Sequence, residues 1–160
     1  MVKKLKVWQL ILILIIVIGG FVLFVGLVSG WFADKRAEID AEYASNDNCE
    51  YMELSASEYE ELIREKKSFV VFVDQGGCTT ADRLRGFVAD YMKEKGFKVY
   101  KMMFEKMEET SLHDFVKYYP AVAVVSSGEV IGWLRADSDD DAPAYNNYDD
   151  FVNWIDKYLK

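Results

Sequence analysis

The sequence predicts an α/β fold in which a buried, largely parallel sheet is closed by an antiparallel hairpin and preceded by one apolar helix. Three observations predict it. Short apolar runs alternate with amphipathic helical segments along the last two-thirds of the chain. The final two strand-like runs are joined by a tight Ser126-Ser127-Gly128-Glu129 turn. Residues Val7 to Val28 carry no charge and are almost wholly Leu, Ile, Val, Gly and Phe.

The apolar run comes first. At 1.5 Å per residue a helix over it is roughly 33 Å long, enough to span a bilayer. Trp8 and Trp31 bracket it, where interfacial aromatics belong. Lys3, Lys4 and Lys6 precede it without an acid among them, which predicts the N-terminus inside and the rest of the chain outside. The expectation is a single-pass plasma-membrane protein with a cytoplasmic tail over 1–6, a retained anchor over 7–29 and an extracytoplasmic domain. Val28-Ser29-Gly30 also offers a small-residue cleavage site, so removal as a leader stays open. Gly26 and Gly30 form a small-xxx-small pair, compatible with a homodimer.

Residues 30–48 are polar, acidic and weakly periodic, and predict a juxtamembrane stalk ending at Asn46-Asp47-Asn48. The folded domain is expected over 49–160. Tyr51, Met52 and Leu54 suit a short strand. Ser57 and Glu60 have the spacing of a capping box for a helix whose inner face holds Tyr59, Leu62 and Ile63. Phe69 to Val73 is continuously apolar, as for a strand buried on both faces. Leu84, Phe87, Val88, Tyr91 and Met92 recur at helical spacing until Gly96 stops the helix. Phe97 to Phe104 reads as a strand, and Ser111 to Tyr118 as a short helix ended by Pro120. Ala121–Val125 and Val130–Leu134 form the hairpin. The last helix starts near Asn147, with Asp149 and Asp150 in its first turn, and buries Phe151, Trp154, Ile155 and Tyr158. The order is β-α-β-α-β-α-β-β-α. Strands joined by helical crossovers are parallel, and the hairpin supplies the antiparallel edge.

All 27 acidic residues and 16 of the 19 basic ones lie beyond the apolar run, leaving that part at −11. Such a surface repels nucleic acid, so no nucleic-acid partner is expected. Two cysteines, Cys49 and Cys78, cannot build a disulfide framework, and the core must hold itself. Cys49 precedes one strand while Cys78 follows a strand parallel to it. A strand spans ~17–20 Å, and a disulfide needs Cα atoms within ~7 Å. Cys49 is therefore free, or linked to a second copy.

Cys78 is the main chemical feature. It follows Gly76-Gly77 at the end of an apolar strand and opens a helix with Thr79-Thr80-Ala81. A sulfur there faces unpaired N–H groups and the positive end of the helix dipole, which favour the reactive thiolate. With Tyr119-Pro120 leading into Ala121–Val125, and Gly128, Val130 and Gly132 after it, this pattern resembles the thioredoxin superfamily over the whole of 49–159. The resemblance implies a thioredoxin-like fold and assigns Cys78 as the reactive thiol and Pro120 as a cis proline facing it. Tyr119 and Gly77 become substrate-contacting positions, and the partner a polypeptide client or redox protein. No cofactor is implied.

The chain departs from that family's chemistry at three places. The second cysteine of Cys-x-x-Cys is Ala81, the Trp before the first is Gly77, and the buried acid of the preceding strand falls on Phe72. A resolving thiol releases a mixed disulfide intramolecularly; without one, the release needs an external thiol. Two functions follow: thiol–disulfide exchange through Cys78 alone, or a non-catalytic module that holds a polypeptide. Cys-Thr-Thr-Ala is also similar to monothiol glutaredoxins, but Tyr-Tyr-Pro replaces their Thr-Val-Pro segment for glutathione.

No metal site is expected. Asp137-Ser-Asp-Asp-Asp141 has alternating Asp but lacks the Gly and Glu of a calcium loop, and reads as a solvated acidic loop. With Pro143, Tyr145 and Tyr148, the segment 137–147 is expected to make an acidic, aromatic lip beside the thiol. His113, the one histidine, has no reason to meet Cys78.

Overall fold

Phe69–Asp74 is rich in β-branched and aromatic residues, and all six residues are buried. It forms β2, the middle of the sheet in a computed structural model that describes residues 7–28, 36–44 and 51–160. The other strands are β1 (Met52–Glu53), β3 (Tyr100–Met103), β4 (Ala121–Ser126) and β5 (Glu129–Trp133). Their order across the sheet is β1-β3-β2-β4-β5. β3 runs parallel to both β1 and β2, while β4 is antiparallel to β2 and to β5. Three parallel strands closed by an antiparallel hairpin agree with the sequence reading.

Alternation along β2 and β4 feeds two cores. Val70, Phe72, Val122 and Val124 face α3 (Thr79–Lys95) and α5 (Tyr148–Ile155), where Leu84, Val88, Tyr91, Phe151 and Trp154 are buried. Phe69, Val71, Val73, Ala121 and Ala123 face Tyr59 of α2 (Ala56–Arg64), with Met107, Leu112 and Val116. Gly96 ends α3 in the left-handed conformation at φ 72°, and its N–H bonds the Met92 carbonyl. The β4–β5 turn places Ser127 and Gly128 at φ 52° and 79°, the primed-turn geometry that matches strand twist.

Several local expectations move. The capping box of α2 is Ser55 with Glu58, not Ser57 with Glu60. Glu60 instead accepts the Ser111 backbone N–H at 2.6 Å. The strand expected over Phe97–Phe104 is shorter. Phe97 forms a lone bridge to Ala44, and Phe104 opens a four-residue helix, α4 (Phe104–Met107). The helix expected over Ser111–Tyr118 is a single 3-10 turn, Ser111–Asp114, capped by the Thr110 hydroxyl.

The largest difference concerns the expected stalk. The chain divides into the units Met1–Asp34 and Lys35–Lys160, so the domain begins well before residue 49. Ala37 pairs in parallel with Leu159 and is wholly buried. Tyr43 is 4% exposed, with its ring edge-on to Tyr100 at 5.4 Å. The Asp40 carboxylate accepts the Ser68 N–H at 2.9 Å. Residues 36–44 are thus a strap on the domain. The remainder of the stalk, the 1–6 tail, Gly30, Trp31 and Cys49 lie outside the described residues.

In the first unit, α1 (Val7–Val28) is a helix of 22 residues. Its described apolar side chains between Ile11 and Val25 are exposed to varying degrees, all more than a third. That stretch is roughly 22 Å long. Among the described residues no helix is long and apolar enough to cross a membrane.

Candidate functional site

β2 ends at Asp74, and only four residues separate it from the start of α3 at Thr79. Gly76 and Gly77 make that reversal at φ 67° and 62°, where a side chain would be strained. The loop leaves Cys78 in the N-cap position of α3, with extended backbone and a partly exposed side chain. Its sulfur closes no cap hydrogen bond of ordinary geometry. The Ala81 and Thr80 amides nevertheless lower the thiol below its ordinary value, with a smaller contribution from the Thr80 hydroxyl. Partial burial and the Asp82 charge oppose them. The direction is the one expected for a sulfur at a helix start.

Cys78, Thr80, Tyr119, Pro120, Ala136, Ala142, Tyr145 and Asn146 line one open groove of about 350 Å³. Tyr119-Pro120 is a cis peptide, placed immediately before β4. Of the residues expected at the site, Cys78, Tyr119 and Pro120 meet. Gly77 is next to the groove through the chain but does not line it. Tyr119 packs its ring on Phe104 at 5.1 Å and donates to the Glu108 carboxylate at 2.9 Å. Burial and that carboxylate push its phenol up to about 12.

The lip expected over 137–147 is partly realised. Tyr145 is buried, and its hydroxyl lies 2.9 Å from the Pro120 carbonyl and 3.1 Å from that of Leu134. Asn146 accepts from Arg83 of α3 at 2.7 Å, which ties the loop to the helix carrying the thiol. Tyr148 turns elsewhere, to Glu94 and the Phe87 ring. Asp141 is held by the Arg135 guanidinium at 3.2 Å. Among the described residues no group of His, Cys, Asp or Glu is arranged to hold a metal ion. His113 sits on the 3-10 turn, apart from the groove.

Ala81, in the place of the second cysteine, is wholly buried, as is Phe72 in its apolar strand. One feature had no clear sequence signal: Arg85 grips Asp74 through both carboxylate oxygens at 2.9 Å and reaches Asp82 at 2.7 Å. Cys49 lies outside the described residues. The parallel register sets Met52, the start of β1, level with Val71 through Tyr100, and Cys78 follows the C-terminal end of β2.

No protein-family model matches the chain, and no curated protein matches it. Solved structures do. The oxidised thioredoxin of Plasmodium falciparum superposes with a TM-score of 0.53 at 17% identity, covering 69% of this chain and all of that one. A single-substitution mutant of the thioredoxin of Halobacterium salinarum gives 0.55 at 12% identity over 72% of this chain and 96% of its own. Thioredoxin O1 of Arabidopsis thaliana, in its oxidised state, gives 0.51 at 11% identity over 69% and 98%. The strand order, the cis Tyr119-Pro120 peptide opposite Cys78 and these superpositions agree: the domain has the thioredoxin fold.

Proposed function

We propose that the protein is a membrane-anchored, extracytoplasmic thioredoxin-fold protein that takes part in thiol–disulfide exchange through Cys78 alone. The observation that carries this reading is a partly exposed thiol, lowered by the amides of its own helix, in one groove with Tyr119-Pro120. The anchor and its orientation rest on the sequence alone, on the charge-free run from Val7 to Val28 and the three lysines before it. The client is a polypeptide laid along the groove.

The Cys78 thiolate attacks one sulfur of a client disulfide. That S–S bond breaks, a Cys78–client disulfide forms, and the other client sulfur leaves as a thiolate that takes a proton from water. Ala81 has no sulfur, so the second step belongs to another thiol. A thiolate of the client, or of an external thiol, attacks the mixed disulfide and frees Cys78. In the first case a client disulfide re-forms with no net redox change. In the second a client–external mixed disulfide is left, and a second external thiol reduces it, so that two external thiols end as one disulfide and supply the two electrons.

A second reading, a non-catalytic module that holds a polypeptide in the same groove, is favoured by wholly buried Ala81 and Phe72. Alkylation of full-length Cys49→Ser protein against pH separates the two. The exchange reading expects Cys78 to react with a midpoint below that of a free cysteine, and Cys78-dependent adducts on non-reducing gels. An ordinary midpoint with no such adducts would leave the binding module as the function. Sedimentation with membranes after alkaline washing tests the anchor.

A further inference from the structure

The segment that presents Cys78 joins two elements whose ends are held by one side chain. Asp74, the last residue of β2, keeps only 6% of its side chain exposed. A buried carboxylate without a partner is strongly unfavourable, so its contacts define where it can sit. It accepts both Arg85 bonds at 2.9 Å and the Gly76 N–H at 3.1 Å. The other arm of the Arg85 guanidinium reaches Asp82, in the first turn of α3, at 2.7 Å. The Arg85 carbonyl in turn accepts the Tyr51 hydroxyl at 2.7 Å, fixing the helix beside β1. Between the two carboxylates run Gln75, Gly76 and Gly77, all exposed, and then Cys78.

We propose that Arg85 is a positioning residue for Cys78. By holding Asp74 at the end of β2 and Asp82 in the first turn of α3, it fixes the loop that presents the thiol and engages the acid whose charge opposes the thiolate. This deepens the exchange reading and rests on it. Two glycines give that loop more freedom than any other pair of residues, and no packed side chain of theirs restrains it. The restraint comes from the ion pairs at its two ends. Arg is suited to this, because its planar fork serves two carboxylates at once where Lys offers a point charge.

The charged and titratable groups around Cys78 are few. From α3 there is Asp82, which raises the thiol. Across the groove stand the phenols of Tyr119 and Tyr145, and Arg83 is bonded to Asn146. Loss of Arg85 releases the Asp82 carboxylate and loosens the amides of Thr80 and Ala81 relative to the sulfur. Both effects move the thiol in the same direction, upward.

The test uses full-length protein in a Cys49→Ser background, with iodoacetamide as the probe and alkylation followed from pH 5 to 10. Arg85→Gln is expected to shift the midpoint upward and slow alkylation at neutral pH about two- to five-fold, the range of an exposed ion pair, leaving the high-pH plateau unchanged. Adding Asp82→Asn to Arg85→Gln is expected to recover a part of the lost rate, and Arg85→Lys to recover less than wild type. If Arg85→Gln lowers the melting temperature but leaves the alkylation profile where it was, Arg85 is structural only and the inference fails. Should Arg85→Gln fail to fold, Asp82→Asn alone still decides: it must speed neutral-pH alkylation less in wild type than in Arg85→Lys. A wild-type midpoint at the ordinary cysteine value would instead overturn the exchange reading itself.

Discussion

Tyr145 provides a quantitative test of how the last loop is held at the groove. Its hydroxyl is buried between the carbonyls of Pro120, at 2.9 Å, and Leu134, at 3.1 Å. One O–H proton serves both, so Tyr145→Phe removes one donor and leaves two carbonyls to share what remains. Removing one partner of a buried hydrogen bond costs about 1–3 kcal/mol, because the orphaned group keeps its desolvation penalty. The ring itself stays in place. For a domain the size of the Lys35–Lys160 unit, 1 kcal/mol moves the melting temperature by about 4 °C. The expected drop is therefore about 4–12 °C by circular dichroism at neutral pH. Tyr145→Ala removes the ring as well, and large-to-small aromatic changes cost about 3–5 kcal/mol. Its melt should fall below that of Tyr145→Phe. A Tyr145→Phe melt within about 1 °C of wild type would show that the hydroxyl is paired with water instead, and the account of the loop would be wrong.

Three other outcomes follow from the same structure. Because folding lowers the Cys78 thiol, the unfolded chain binds more protons between the folded and unfolded midpoints, so stability rises with pH through that window. The melting difference between wild type and Cys78→Ser should grow in favour of wild type from neutral pH toward pH 9, and a flat difference would contradict the shift. Replacing Ala81 by Cys restores a resolving thiol one helical turn from Cys78. It should make Cys78 adducts scarce on non-reducing gels, at a stability cost of about 1–3 kcal/mol for adding a sulfur at a wholly buried position. A chain beginning at residue 49 should melt below one beginning at residue 35, since it loses buried Ala37 and Tyr43; equal melts would mean that the strap contributes nothing.

The sheet and the long helix α3 were legible because their signals are local. A strand buried on both faces reads as an unbroken apolar run, and α3 carries its own periodicity and its own stop at Gly96. The α2 capping box was not, since Ser55/Glu58 and Ser57/Glu60 offer the same spacing two residues apart. What decides is that Glu60 is drawn to Ser111, fifty-one residues away. The strap over 36–44 hid for a similar reason. Its sequence is polar and acidic, with burial concentrated at Ala37 and Tyr43, and their partners Leu159 and Tyr100 are distant in sequence. At the site, Cys78, Tyr119 and Pro120 were readable as a pattern. Gly77 was placed with them by resemblance, but in space it shapes the loop and leaves the groove wall to Tyr145 and Asn146. The Arg85 grip on Asp74 joins residues eleven apart across a loop, and no spacing rule announces it.

The strap has a geometric consequence. Glu38, Ile39, Asp40 and Ala44 gather around Lys95, Gly96 and Phe97, where α3 finishes. Cys78 stands where α3 begins. The helix has 17 residues, so its two ends are about 25 Å apart. The polypeptide therefore arrives at the domain one helix length from the sulfur. The first contact the strap makes is the Ala37–Leu159 pairing, at the far end of α3 from Gly76, Gly77 and Cys78. Within the domain, the strap and the thiol are thus separated by the length of a single rigid rod.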